Sequence, residues 1–277
     1  MGRTDRGANL KASETTDTER REAAWLNRAA AAARVGDEVL RRVLTVIAIL
    51  FLLFFIYGLV DDFRILNGAD LDQSLLQYKP AVGSEGSNPS LEELMAINPD
   101  VRAWLTIPDT TIDYPVVQGE DNSEYLNKDV YGQFALSGSI FLDSRNASDF
   151  SDPYSLVYGH HMDAGKMFGA LDAFEKKDYL AQHDTGYLYL KDASWKITFF
   201  ACVKTDAYEE VVFNPTTSAD GDEALLAYIK KNAVAETDGF ADGDGAADVQ
   251  RIIGLSTCAD NDSDARTVLF GYLEEDN

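Results

Sequence analysis

The sequence predicts a mostly β domain, a closed or nearly closed barrel of eight strands, behind a single transmembrane helix. Three observations predict it. Eight short β-like runs separated by turn residues fill about 175 residues of the C-terminal part. An uncharged apolar stretch of eighteen residues precedes them, and one clear helical segment interrupts them late. A chain of 277 residues suffices for one substantial domain plus appendages. Its 45% apolar content can bury a core, and its 13 Tyr and 14 Phe suit a β-rich one.

Residues 1–42 are polar and Ala-rich around AAWLNRAAAAARVGDEVL and read as a cytoplasmic helix or a loose tail. Residues 43–60, VLTVIAILFLLFFIYGLV, are long enough as a helix to cross a hydrocarbon core. Arg41 and Arg42 precede this run and Asp61 and Asp62 follow it. Basic residues stay on the cytoplasmic side, so the N-terminus is expected inside and the C-terminal domain outside. No small-x-small cleavage site follows the run, and it has no polar face, so a retained anchor is expected over a signal peptide or a core helix. Residues 61–89 are expected to be a stalk: Phe63, Leu66, Leu71 and Leu75 fall near helical spacing, and PAVGSEGSNP reads as a linker.

The catalytic-size domain is expected over residues 90–277. Ser90-Leu91-Glu92-Glu93 resembles a capping box opening a short helix that ends near Asn98. The β-like runs are AWLTI, YPVVQ, GSIFL, SLVYG, TGYLYL, WKITFFACVKT, QRIIGLST and RTVLFGYL. The helical segment DEALLAYIKKN, Asp222–Asn232, lies between the sixth and seventh of them.

The formal charge of −23 excludes nucleic acid as a partner, because phosphate recognition needs clustered Lys and Arg. Residues 1–42 carry nine Lys/Arg against seven Asp/Glu, so the remainder carries −25, the charge of a solvated acidic surface. The two cysteines, Cys202 and Cys258, can form one disulfide in an exported compartment, but neither belongs to a C-x-x-C pair of the kind zinc uses. Cys202 lies inside ITFFACV and is expected in the core. Cys258 ends IIGLSTC, beside a polar Asp-rich loop that leads to Arg266. If the two flanking runs pair antiparallel, a thiol and a guanidinium meet in one small site, as attack on an amide carbonyl with oxyanion stabilisation requires. Upstream, SLVYGHHMDAG releases His160 and His161 at a strand end, where an imidazole can serve as acid or base. Spacing alone does not choose between them. His183, in AQHDTG, reads as a surface residue.

LSTC followed eight residues later by Arg, with YGHHM upstream, resembles the sortases, specifically class B. Residues 112–145, IDYPVVQGEDNSEYLNKDVYGQFALSGSIFLDSR, resemble the class B sequence around its early strands and the first wall of its substrate groove. The resemblance covers about residues 89–273. It implies a sortase-type barrel and a cysteine transpeptidase with Cys258 as nucleophile, His160 as acid/base partner and Arg266 at the oxyanion. Asn122, Leu126, Ser256 and Thr257 fall where class B enzymes line the groove, and Thr205 and Tyr208 are further candidates for that wall. His161 stands where the family often has Asn, and Gly254 where it has Thr or Ser before Leu255; no loss of chemistry is expected from the latter. Asp260, Asp262 and Asp264 are expected to raise the Cys258 pKa.

The implied partners are secreted proteins with a C-terminal sorting signal and an amino acceptor, from lipid II or peptidoglycan or from a pilin lysine. No metal or organic cofactor is implied. An L,D-transpeptidase would show Ser-His-Gly-x-Cys, which is absent. A silent surface-binding domain would leave Cys258 resistant to thiol reagents.

Overall fold

The computed structural model describes residues 5–68, 74–81, 87–216, 222–241, 251–258 and 264–275. The chain divides into two compact units, residues 1–62 and 63–277. Helix α1, Asp5–Gly68, carries the apolar run. Its window of mean hydropathy 2.9 is wholly exposed, so this helix is long and apolar enough to cross a membrane. Arg41 and Arg42 pair with Asp37 and Glu38 one turn earlier on its surface.

Among the described residues the second unit holds nine strands: β1 Val101–Thr106, β2 Asp113–Val117, β3 Ile140–Leu142, β4 Tyr154–Gly159, β5 Thr185–Leu190, β6 Ser194–Asp206, β7 Ala233–Glu236, β8 Arg251–Thr257 and β9 Ala265–Glu275. Eight close a ring in the order β5-β1-β2-β3-β4-β8-β9-β6, with β6 returning to β5. Long β6 makes the closure possible. One edge pairs throughout with β9, while the other is shared between β5 at Ser194–Thr198 and β7 at Ala201–Val203. Two pairs are parallel, β2 with β3 and β4 with β8.

Side chains alternate across these strands, so each strand serves two layers. Val157, Ile253, Leu255, Leu269 and Cys202 point into a barrel interior to which all eight ring strands contribute. Tyr154, Leu156, Ile252, Val268 and Phe270 face outward and are covered by Leu225 and Ile229 of α5, Asp222–Asn232, and by Phe240. Leu91 and Leu94 of α2, Pro89–Ile97, cover Trp104, Val117 and Tyr189 elsewhere on the outer surface.

Several local expectations are corrected. The capping box at Ser90 does not open α2: the helix starts one residue earlier with Pro89 in its first turn, and Asn88 precedes it. Asn88 turns its amide to the Leu190 carbonyl at 2.6 Å, so tertiary bonding replaces the local cap. Two 3-10 segments, Asp163–Gly165 and Phe168–Glu175, follow the histidine pair. Helix α3, Lys177–Gln182, was not signalled by the sequence. It brings half-buried His183 onto the ring of Tyr179, 4.0 Å between centroids, so this histidine is packed and not a free surface group. The short helices α4, Glu210–Phe213, and α6, Asp238–Ala241, complete the β6–β8 connection. Of the expected stalk and linker, residues 69–73 and 82–86 lie outside the described residues.

Gly254 has a packing reason. It lies between Leu156 of β4 and Phe270 of β9, and a Cβ there would stand 2.7 Å from the Tyr154 hydroxyl. That hydroxyl is fully buried and donates to the Val212 carbonyl of α4 at 3.1 Å. Gly254→Ala is therefore expected to cost about 1–3 kcal/mol, seen as a fall of several degrees in the melting of the full-length chain in detergent. Adding Tyr154→Phe to Gly254→Ala should cost less than Tyr154→Phe alone, because the clash disappears with the hydroxyl. Additive losses would contradict this packing account.

Candidate active site

The site begins with two parallel strands of matched register. Tyr154 through Gly159 of β4 pair with Ile252 through Thr257 of β8, one residue against one. Parallel strands end at the same edge, so the residues that follow, His160 and Cys258, leave side by side although about a hundred positions separate them. The ladder continues one step further, with the Cys258 amide donating to the Gly159 carbonyl at 2.7 Å. Neighbouring strands lie about 5 Å apart, which sets the scale of the separation. Gly159 must lack a side chain: a Cβ would press on Ile140 and stand 2.8 Å from the Phe168 ring. Phe168 also fixes the His160 backbone by donating its amide to the His160 carbonyl at 3.0 Å.

Antiparallel β9 returns along the far edge of β8, with Ser256 opposite Val268. The same register carried two steps further sets Cys258 against Arg266. The backbone ladder is already opening there, since the Thr267 amide donates to the Thr257 hydroxyl at 3.1 Å instead of to a carbonyl. In β4, β8 and β9 the even-numbered side chains face outward, and His160, Cys258 and Arg266 are all even-numbered. The expected antiparallel pairing of the two runs is thus present, and it presents thiol and guanidinium on one face.

Cys258 and Arg266 open into a cleft of about 260 Å3 lined, besides these two, by Asn122, Leu126, Phe141, Tyr158, Ala207, Phe213 and Thr257; His160 is not part of that lining. Cys258 is half-buried and free, and Arg266 is buried at 8% exposure. Burial pushes the Cys258 thiol up to about 12, with the Arg266 cation pulling in the opposite direction. Residues 259–263, including Asp260 and Asp262, lie outside the described residues; among the described groups burial is what raises the thiol. Cys202 is also pushed up to about 12, by burial and then by the Glu175 charge, but it lies in the barrel interior. Both cysteines are free, so the disulfide that two cysteines allow is not formed.

His160 adjoins the cleft through Leu126, with its Nε2 2.7 Å from the Leu126 carbonyl. A carbonyl only accepts, so Nε2 carries the proton and Nδ1 is left as the position that gains or loses one. His161 is engaged elsewhere, its Nε2 lying 2.8 Å from an Asp172 carboxylate oxygen.

Of the groove residues expected from sequence, Asn122, Leu126 and Thr257 line the cleft. Three others do not. Ser256 sits one residue deeper in β8, between Tyr158 and Val268, and is fully buried with its hydroxyl on the Thr257 carbonyl. Thr205 is buried with its hydroxyl 2.6 Å from that of Tyr228. Tyr208 is 79% exposed and outside the cleft lining. Phe141, Tyr158, Ala207 and Phe213 were not expected. They come from β3, β4 and the segment after β6, which only the fold brings together.

Residues 105–274 match the sortase domain family. Sortase B of Listeria monocytogenes is 36% identical over 189 residues, covering 66% of this chain and 73% of that protein. Among solved structures, a class B sortase of Streptococcus pyogenes involved in pilus biogenesis aligns with a TM-score of 0.60 at 42% identity, covering 66% of this chain and 97% of that one. The Staphylococcus aureus sortase B–substrate complex aligns with a TM-score of 0.62 at 27% identity, covering 69% and 87%. With the eight-stranded ring and the matched strand ends, these similarities place the chain in the sortase family of transpeptidases, in its class B.

Proposed function

We propose that the chain cleaves a C-terminal sorting signal at a Thr–Gly or Thr–Asn type bond through a thioacyl enzyme on Cys258, and passes the acyl group to an amino acceptor of the cell-wall precursor. The observation that carries this reading is the matched end of β4 and β8, which sets His160 beside Cys258 on the face that Arg266 shares. In the first half-reaction the Cys258 thiolate adds to the amide carbonyl carbon, and the Arg266 guanidinium stabilises the oxyanion. The C–N bond breaks as His160 gives a proton to the leaving amine, leaving a thioester. In the second, the acceptor amine adds to the thioester carbonyl while neutral His160 takes its proton. The C–S bond then breaks and the amide product leaves.

The raised thiol supports a reverse-protonated enzyme, in which a minority carries thiolate and imidazolium together. Such an enzyme turns over slowly, with a bell-shaped pH profile whose limbs belong to the pair. The chain organisation fits this chemistry. Residues 1–42 lie in the cytoplasm, 43–60 cross the membrane, 61–89 form the stalk and 90–277 act outside. Anchoring raises the effective concentration of a lipid-linked acceptor at the same surface. A second reading, a pilin polymerase using a pilin lysine as acceptor, is favoured by the 42%-identical Streptococcus pyogenes enzyme involved in pilus biogenesis.

A panel of fluorogenic sorting peptides, NPQTN-like and LPxTG-like, tests the assignment and the substrate together. Cys258→Ala should abolish cleavage, and His160→Ala should reduce kcat by roughly 10²–10⁴-fold. His161→Ala and Cys202→Ser should remain active. Arg266→Lys should lose about 10²-fold, because an ammonium lacks the planar fork. Retained cleavage by Cys258→Ala would refute the proposal. Offering a peptidoglycan-type amine against a pilin-lysine peptide separates the two acceptors by which one accelerates release of the acyl group.

The raised thiol gives a pH test without substrate. The iodoacetamide reaction of Cys258 should keep accelerating beyond pH ~9, where an ordinary thiol levels off. Arg266→Met should slow it further, because loss of the cation raises the thiol pKa. A plateau near neutral pH would contradict the account.

A further inference from the structure

Three of the segments that line the cleft are tied together by one ion pair, whose carboxylate is buried and whose guanidinium is partly open to solvent. Asp143 follows β3 and is fully buried. Its Oδ1 accepts from the Arg145 amide at 2.9 Å and from Arg145 Nε at 2.8 Å. Its Oδ2 accepts from Arg145 Nη2 at 2.6 Å, Asn122 Nδ2 at 2.9 Å and the Tyr158 hydroxyl at 3.1 Å. Arg145 Nη2 also donates to the Phe213 carbonyl at 2.7 Å. Asn122 closes the loop by accepting from the Ser144 amide at 2.7 Å.

Asn122, Tyr158 and Phe213 all line the cleft that holds Cys258. The Tyr158 and Phe213 rings are nearly parallel, 6.5 Å apart with 14° between their planes. Burial alone would raise the Asp143 carboxyl, but the bonds from Arg145 and Asn122 prevail and hold it below its ordinary value. It therefore stays ionised at neutral pH and keeps all its acceptor sites.

We infer that Asp143 and Arg145 are positioning residues for substrate, an ion pair on a buried carboxylate that sets the spacing between the Asn122 wall, the Tyr158 floor and the Phe213 wall of the cleft. Neither lines the cleft with Cys258. The inference rests on the reading of this cleft as the sorting-signal groove. A pair serving stability alone would not split peptide affinity from thiol reactivity, whereas a pair that spaces the walls would.

The test uses the full-length chain in detergent with Arg145→Lys and Asp143→Asn, assayed with the sorting peptide that the wild type cleaves best. Lysine keeps the charge but cannot fork to the carboxylate while also reaching the Phe213 carbonyl. Both variants should lose about tenfold or more in kcat/KM, chiefly through KM, a size typical of losing one or two well-placed hydrogen bonds. Iodoacetamide modification of Cys258 should stay within about twofold of wild type, since a small reagent does not span the walls. Hydrogen exchange should rise together at residues 120–127 and 207–214, the segments that Asp143 and Arg145 hold through Asn122 and the Phe213 carbonyl. Unchanged KM with unchanged exchange overturns the inference, as does an equal loss in alkylation and melting temperature. If Asp143→Asn does not fold, Arg145→Lys decides. If the wild type cleaves no sorting peptide, or Cys258→Ala still does, the groove reading fails, and the exchange at the two walls decides whether the pair spaces them.

Discussion

The register between β4 and β8 is the constraint from which the site follows. A slip of one residue would turn every side chain of one strand to the other face and carry His160 away from Leu126 or Cys258 away from the cleft. The register is pinned at both ends, by the Ile252 amide on the Pro153 carbonyl and the Cys258 amide on the Gly159 carbonyl, each at 2.7 Å. Between them, Gly254 admits Tyr154, so shape as well as hydrogen bonding rejects the alternatives. Gly159 lets Ile140 and Phe168 close under the strand end, and the chain leaves toward His160 at a fixed angle.

Electrostatics at this strand end pull in two directions. Burial favours the neutral Cys258 thiol, while the buried Arg266 guanidinium favours thiolate. A thiol held this way is quiet toward solvent and is activated only where a cation and an imidazole converge on it. Cys202 is pushed up as far, chiefly by burial with the Glu175 charge adding to it, yet it packs among apolar residues of the barrel interior. The difference between a core thiol and a site thiol is therefore one of neighbours and access, and burial does not distinguish them.

The eight ring strands are legible in the sequence because each run is rich in β-branched and aromatic residues and bounded by turn residues. Strand β7 is not, since its four residues AVAE follow a helix and carry only a half-buried pattern. Helix α3 is not either, because KDYLAQ is too short to show a helical period. The antiparallel pairing around Cys258 was legible as two runs flanking a polar loop. The parallel pairing of β4 with β8 was not, because no local pattern records which distant strand becomes a neighbour. For the same reason Tyr158 and Phe213 went unread as cleft residues. Asp143 left a faint trace: LDSR sets an acid two residues before an arginine just past an apolar strand, a local turn whose carboxylate only the fold buries.

The central claim is that one particular sulfur, at the matched end of two parallel strands, carries the acyl group. It is tested most directly by quenching the chain with acid during turnover of a sorting peptide and mapping the covalent adduct by mass spectrometry. The account predicts the acyl mass on the peptide containing Cys258, sensitive to hydroxylamine as a thioester is, and none on the peptide containing Cys202. Cleavage that proceeds with no adduct on Cys258, or with the adduct on another residue, would contradict it.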